Sequence, residues 1–186
     1  MSRRFRRRLP GALGVTSVLI LLAIVVAARW LDRPPQWADP GYLSEGLYQV
    51  ERVVDGDTID LSRARDGGAR GDGKVQRIRV RLMGVDTPET VKPGHPVEPW
   101  GPEAAEFTRR FVSGGSVRLR LDKERLDRYG RVLAYVYVDD VMLNQQLLLA
   151  GLARARLTFR YSQAMKRRFR EAQQQAQIDR KGIWSE

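Results

Sequence analysis

Cysteine is absent from all 186 residues, and histidine occurs once, as His95. The first absence excludes a disulfide framework, a thiolate zinc site and a cysteine nucleophile. It leaves the redox compartment open, because cysteine-free proteins work in any of them. The scarcity of histidine excludes a zinc site built on two imidazoles. A serine–histidine pair would have to use a residue wedged between Gly94 and Pro96, so His95 reads as a loop residue. Acidic residues are outnumbered: 22 Asp and Glu stand against 33 Lys and Arg, a formal net charge of +11. That balance favours a polyanionic partner such as nucleic acid or an anionic lipid surface.

The first 28 residues contain no acid but five arginines, at positions 3, 4, 6, 7 and 8, and removing these five leaves +6 for the rest. Leu9 to Ala28 is almost wholly apolar, broken only by Pro10, Gly11, Gly14, Thr16 and Ser17. About 20 such residues can span a bilayer. Arginines on its N-terminal side stay cytoplasmic, so the remainder of the chain is passed outward. Residues 1–8 thus read as a basic cytoplasmic segment and 9–28 as a transmembrane anchor. The alternative is a signal peptide cleaved after Val26-Ala27-Ala28, which would release a secreted protein. Residues 29–45 contain Pro34, Pro35 and Pro40 and suit a spacer, leaving one domain over 46–186.

Within that domain Leu47 to Val54 is rich in strand formers, Asp55-Gly56-Asp57 interrupts it as a turn, and Thr58 to Leu61 resumes extended character. Ser62 to Gly73 carries four glycines among charges and reads as a loop. Gln76 to Met83 alternates with period two, sending Ile78, Val80 and Leu82 to one face and Arg77, Arg79 and Arg81 to the other. Further strands are expected at Val117–Leu121 and Leu133–Val138, about five in all. Pro102 to Phe111 has proline and acid in its first turn and basic residues in its last, a helix closed by Gly114-Gly115. Met142 to Ala150 forms a second helix ended by Gly151. Ser162 caps a third, with Met165, Phe169, Ala172 and Ala176 on one face as far as Gly182. Short strands in a small closed sheet with about three α-helices point to a five-stranded OB-like β-barrel, an α+β fold used for oligonucleotides.

Three clusters carry candidate chemistry: Asp55-Gly56-Asp57-Thr58, Arg81 to Glu89, and Asp127-Arg128-Tyr129-Gly130-Arg131. Calcium prefers carboxylate, carbonyl and water oxygens, which Asp57, Asp86 and a neighbouring backbone carbonyl supply without histidine. Hydrolysis of a phosphodiester needs an activated water and stabilisation of the charge that develops at phosphorus. Glu89 is a candidate proton acceptor, and Arg81 and Arg131 are candidate phosphate clamps with planar, permanently charged guanidinium groups. Each cluster also has an ordinary structural reading. Asp-Gly-Asp is a common turn, Arg81 continues the solvated Arg77–Arg79 face, and Asp86-Thr87-Pro88-Glu89 suits a helix start.

Taken in order, the three clusters resemble the staphylococcal thermonuclease family. So do Leu133-Ala134-Tyr135-Val136-Tyr137, Trp100-Gly101-Pro102-Glu103-Ala104, Gly151-Leu152-Ala153 and the terminal Gly182-Ile183-Trp184, so the likeness runs from Gly46 to Trp184. The resemblance implies a five-stranded OB-fold barrel with three helices. It implies Ca2+ held by Asp57, Asp86 and the carbonyl of Thr87, with Glu89 as general base or water-orienting group and Arg81 and Arg131 on the phosphate. It also implies cleavage of DNA and RNA, preferably single-stranded, to 3′-phosphate and 5′-hydroxyl ends; no protein partner is implied, and a monomer is expected. Arg128, Tyr129 and Phe159 match substrate-binding positions. The family's best-known member has two tyrosines where this chain has Leu157 and Phe159. Tyr161 is a candidate replacement for the lost stacking surface. The alternative reading is a non-catalytic nucleic-acid-binding OB module at the cell envelope.

Overall fold

The structure is a computed structural model and describes residues 43–64, 75–90 and 96–185. The apolar segment at 9–28, most of the proline-rich spacer, the glycine-rich stretch at 66–73 and His95 lie outside the described residues. No helix among the described residues is long and apolar enough to cross a membrane.

Strand β1 (Gly46–Asp55) turns at Gly56-Asp57 into β2 (Thr58–Ala64), and β2 pairs antiparallel with β3 (Val75–Leu82). The turn takes glycine at 56 because its backbone lies against neighbouring elements: a Cβ there would meet Ala104 Cβ and Thr87 Oγ1 at 2.8 Å. Period-two patterning places Ile78, Val80 and Leu82 inside, all essentially buried. Strand β5 (Ser116–Arg120) pairs with β1, and β6 (Val132–Val138) pairs with β5. A parallel pairing of β6 with β3, Val80 to Val132 through Leu82 to Ala134, closes the five strands into a barrel. With helices α1 (Gly101–Phe111), α2 (Leu143–Leu149) and α3 (Gln163–Ile178), this is the expected OB-fold.

Some local features differ from the sequence reading. Strand β2 continues to Ala64, because Ser62, Arg63 and Ala64 find partners in Arg77, Gln76 and Val75, so the loop expected from Ser62 begins later. Two short strands, β4 (Val85–Asp86) and β8 (Arg154–Ala155), pair separately, and β7 (Val141–Met142) extends the barrel sheet next to β6. Helix α3 stops at Ile178, and Gly182–Trp184 forms a 3-10 turn. That turn docks on the segment after α2: Ile183 N–H donates to Gly151 O at 2.9 Å, and a Cβ on Gly151 would lie 2.1 Å from Lys181 O. Glycine is needed at 151 because two backbones touch there, with φ of +68°.

The helices are tied to the barrel by buried polar groups as well as by apolar contact. Asn144 of α2 accepts a hydrogen bond from Val136 N–H at 3.0 Å and donates to Met83 O at 2.9 Å, joining β6 to the turn after β3. Phe169 of α3 is wholly buried and meets Tyr135 edge-on. The start of α3 is fixed twice. Ser162 Oγ accepts Met165 N–H at 3.3 Å, and Ser162 N–H donates to Asp122 Oδ2 at 3.0 Å. The same Asp122 oxygen accepts the Tyr135 hydroxyl at 2.7 Å.

Burial works to raise the Asp122 carboxyl, but hydrogen bonds from Ser162 N–H, the Tyr135 hydroxyl and Lys123 N–H outweigh it and hold it below its ordinary value. A carboxyl depressed in the folded state adds stability above its unfolded value, near pH 4, and that contribution is lost as pH falls through the folded value. Asp122→Ala is therefore expected to cost about 1–3 kcal/mol at neutral pH in urea unfolding. The variant should also lose stability less steeply than the parent between about pH 5 and 3. Parallel pH profiles for the two proteins would show that Asp122 is not the titrating group.

Candidate active site

Four chain segments meet beside the barrel: the β1–β2 turn, the end of β3 with the segment from β4 to Thr90, the loop from Asp122 to Arg131, and the segment after β8 that bears Arg156 and Phe159. They enclose a cleft of about 680 Å³. All nine side chains singled out from the sequence line it: Asp57, Arg81, Asp86, Thr87, Glu89, Arg128, Tyr129, Arg131 and Phe159.

Arg81 lies at the centre and is only 7% exposed. Its position on the outward period of β3 suggests a solvated side chain, but the β1–β2 turn and β4 cover it. Arg81 Nη1 is 2.7 Å from Asp57 Oδ2 and donates to Val85 O at 2.8 Å, while Nη2 is 2.6 Å from Asp86 Oδ1. The reading of Arg81 as one more solvated rung is thereby excluded. Asp57 is equally fixed: Oδ2 accepts Thr87 N–H at 3.0 Å and Oδ1 accepts the Thr58 hydroxyl at 3.0 Å. Its own carbonyl accepts Leu82 N–H at 2.8 Å, tying the turn to the end of β3.

Arg131 is held by a local device. Asp127 Oδ2 is 2.6 Å from Arg131 Nε, and Asp127 Oδ1 accepts the backbone N–H groups of Tyr129 and Arg131 at 2.8 and 2.9 Å. The carboxylate thus shapes the Asp127–Arg131 turn and aims the guanidinium. Tyr129 is 59% exposed, with the Arg128 and Arg131 guanidinium carbons 4.7 and 5.5 Å from its ring centre. Phe159 is half-buried at the cleft wall, packed against the core. Tyr161 does not replace the missing stacking surface. It is 2% exposed, packs on Phe169, and donates its hydroxyl to Arg156 O at 3.1 Å.

Glu89 lies beside Asp55. Burial is the main cause that raises the Asp55 carboxyl above its ordinary value; hydrogen bonds from Thr90 and Gly56 oppose the rise, and the neighbouring Glu89 carboxyl adds to it. Thr90 connects the two: its hydroxyl donates to Asp55 Oδ1 at 2.6 Å and its N–H to Glu89 Oε1 at 3.1 Å. Glu98 Oε2 accepts Glu89 N–H at 3.1 Å and fixes the backbone from the other side. Burial also raises the Asp86 carboxyl; Arg81 and Arg156 work against it and Asp57 adds to it. Arg79, Glu124 and Arg156 were not singled out from the sequence, and Asp55 was named in its cluster without a role; the structure adds all four to the cleft. Asp55 reads locally as a turn residue, and only its contact with a loop 34 positions away brings it to Glu89.

The cleft is suited to a hard cation. Among the lining residues six carboxylates face five arginines, so an anionic substrate meets a surface that lacks an excess of positive charge. Asp57 and Asp86 already converge on one cationic group. Thr87 Oγ1 is buried beside them without a hydrogen-bond partner. Among the described residues no three His, Cys, Asp or Glu side chains group as metal ligands. Asp57 and Asp86, supplemented by carbonyl and water oxygens, could offer an all-oxygen donor set of the kind that hard cations accept.

The family model described as "Staphylococcal nuclease homologue" matches residues 79–186. The chain belongs to the staphylococcal nuclease family. It is 42% identical over 174 residues to a thermonuclease of Staphylococcus hyicus, covering 91% of this chain and 96% of that protein. It is 44% identical over 175 residues to a thermonuclease of Staphylococcus intermedius, with the same coverage. The endonuclease YncB of Bacillus subtilis (strain 168) is 39% identical over 137 residues, 73% of this chain and 60% of that one. As a member of the staphylococcal nuclease family, the protein is a nuclease, and its substrate is nucleic acid.

Arg81 also has a structural role. Removing its charge as Arg81→Ala leaves Asp57 and Asp86 close together without their shared partner, and is expected to lower stability by about 3–5 kcal/mol. Combining Arg81→Met with Asp57→Asn should cost less than the two changes summed, because the uncompensated charge is removed with its partner. Urea midpoints of the two single variants and the double variant measure the coupling. Strict additivity would sink the idea of one buried ion cluster.

Proposed function

We propose that this nuclease is calcium-dependent and hydrolyses phosphodiester bonds of DNA and RNA, preferably single-stranded, to 3′-phosphate and 5′-hydroxyl ends. The observation that carries the reading is the gathering of Arg81, Arg131 and Glu89 in one cleft around the paired carboxylates Asp57 and Asp86. Asp57, Asp86 and the Thr87 carbonyl would hold the calcium ion, which supplies Lewis-acid stabilisation of charge on the phosphate oxygens.

The remaining work falls to side chains of the chain itself. Glu89 accepts a proton from the attacking water, and its backbone is fixed by Glu98 so that the carboxylate is already in place. Arg81 and Arg131 each present a planar, permanently charged donor set to the phosphate. Asp127 prepares Arg131 for this by taking its Nε and shaping its turn, which lowers the reorganisation needed when charge develops. Tyr129, Arg128 and Phe159 line the wall and contact the flanking nucleotide; Phe159 offers an aromatic face without a hydroxyl. We further propose that residues 9–28 tether the domain on the outer side of a membrane, or that cleavage there releases it, and that the protein works as a monomer.

The test is to incubate the protein with single-stranded DNA and RNA, with calcium or with a chelator, and to analyse the fragment ends. Calcium-dependent cleavage leaving 3′-phosphates is expected. Tight binding without cleavage would instead favour a non-catalytic binding module. Glu89→Ser should lower the rate by about 10²–10⁴ while leaving the fold intact. Arg131→Lys, which keeps charge but loses the fork, should lower it by about 10²–10³. Unchanged turnover in either variant removes that residue from the mechanism.

A further inference from the structure

The outward face of β3 carries arginine at every second position from Arg77 to Arg81. Arg81 is buried at the cleft centre. Arg79 lines both that cleft and a second, open depression of about 320 Å³ bordered by Glu51, Arg52, Asp60 and Arg77. Alternate residues of a strand lie about 6.6–6.8 Å apart. The backbone positions that bear the three arginines therefore repeat on the scale of phosphates along an extended single strand.

The acids on this face do not cancel its charge. Asp60 accepts from Arg79 Nε at 2.6 Å and Nη2 at 2.9 Å, and from Arg52 Nε at 2.8 Å, so one carboxylate serves two arginines. Arg79 Nη1 takes no part in that pair. The Asp60 carboxyl is held below its ordinary value, first by the Arg79 hydrogen bond, so it stays ionised and keeps Arg79 extended along the sheet. Arg77 meets Glu51 at 3.4 Å with its side chain 71% exposed, a screened surface pair that contributes little and that a phosphate can exchange for. The irregularity of β1 between Val50 and Arg52 puts Glu51 and Arg52 next to each other at the border of the same depression. Among the described residues no aromatic side chain lines it, so contact there is with the sugar–phosphate backbone and carries no base preference.

We propose that Arg79, Arg77 and Arg52 form a track along the outside of β1–β3 that holds single-stranded nucleic acid beyond the phosphate in the cleft. The nuclease thereby binds long strands more tightly than substrates that fill the cleft alone. This deepens the nuclease reading and rests on it.

The test uses the full chain with Arg52→Gln/Arg77→Gln, two exposed positions that do not line the cleft. KM and kcat are measured on a dinucleotide-sized substrate and on a single strand of about 20 nucleotides, longer than an OB-fold site covers. Binding of the long strand is followed in parallel by fluorescence anisotropy in the presence of a chelator, which needs no cleavage. The expected result is a rise of about tenfold in KM and Kd for the long strand, with kcat and the dinucleotide KM within about twofold of the parent. The slope of log Kd against log salt should fall by about 0.7 for each phosphate that is no longer neutralised. Arg79→Lys should keep the salt slope, and Arg79→Gln should lower it. Equal losses on short and long substrates, or an unchanged salt slope, would overturn the track. So would a slope that falls with Arg167→Gln/Arg170→Gln on α3 and not with the β-strand variants, since the strand would then leave across the helix. Absence of cleavage by the parent with an intact anisotropy response would overturn the nuclease reading and leave the track standing.

Discussion

One buried guanidinium holds the cleft together. Arg81 is surrounded by two carboxylates and a backbone carbonyl, drawn from two further pieces of chain: Asp57 from the β1–β2 turn, Asp86 and Val85 from β4. A charge taken out of water at such cost is tolerable only where its partners have good geometry. That demand fixes three backbones, β3 included, relative to one another. Thr87 N–H on Asp57 and Leu82 N–H on the Asp57 carbonyl extend the same lattice into the main chain. The turn that bears Asp57 is then a rigid part of the barrel rim instead of a free loop, and the cleft acquires a stiff floor.

The walls are built on a different principle. Arg131 and Tyr129 stand on a loop whose order comes from one acid, Asp127, satisfying two backbone N–H groups and one guanidinium. Asp122, in the same loop, is bound by Tyr135 of β6 and by the first residue before α3. The loop therefore inherits its position from the barrel at one end and from the α3 start at the other. Side chains on loops are held precisely only when such supporting bonds lock them. Here two aspartates supply the locking.

Much of this was legible in the sequence, for definite reasons. Period-two alternation identified β3 because Ile78, Val80 and Leu82 needed a common apolar face, and Ser162 announced α3 because a helix start needs an acceptor. The three acidic and basic clusters could be joined into one site through their family resemblance, and all nine residues do line one cleft. What local pattern cannot carry is long-range cover. Alternation assigned Arg81 to the same exposed face as Arg77, since nothing in β3 shows that the β1–β2 turn and β4 fold over that end only. Asp55 looked like the first residue of a turn because its partners Thr90 and Glu89 come from a distant loop. Tyr161 looked like a stacking candidate by proximity in sequence, whereas the core around Phe169 claims it. The parallel closure of β3 on β6 likewise depends on a register no single strand encodes.

The way Arg81 is held also constrains how the cleft can work. The Nη1 and Nη2 atoms that would meet a phosphate are those now engaged by Asp57 and Asp86. In the proposed reaction, substrate binding would exchange partners: the guanidinium would keep its charge compensated by trading carboxylate oxygens for phosphate oxygens. The exchange leaves the two aspartates in need of another positive charge, in a cleft whose lining has more acids than bases. On that proposal a divalent cation and an anionic substrate would each be favoured by the presence of the other, since neither alone would balance the charges around Arg81. Val85 O, which also accepts from Nη1, does not change charge in the exchange and anchors the guanidinium while its other partners change. Arg77, farther along β3, escapes this constraint because solvent screens its pair with Glu51, and on the proposed track it would attract a strand before the charge exchange in the cleft.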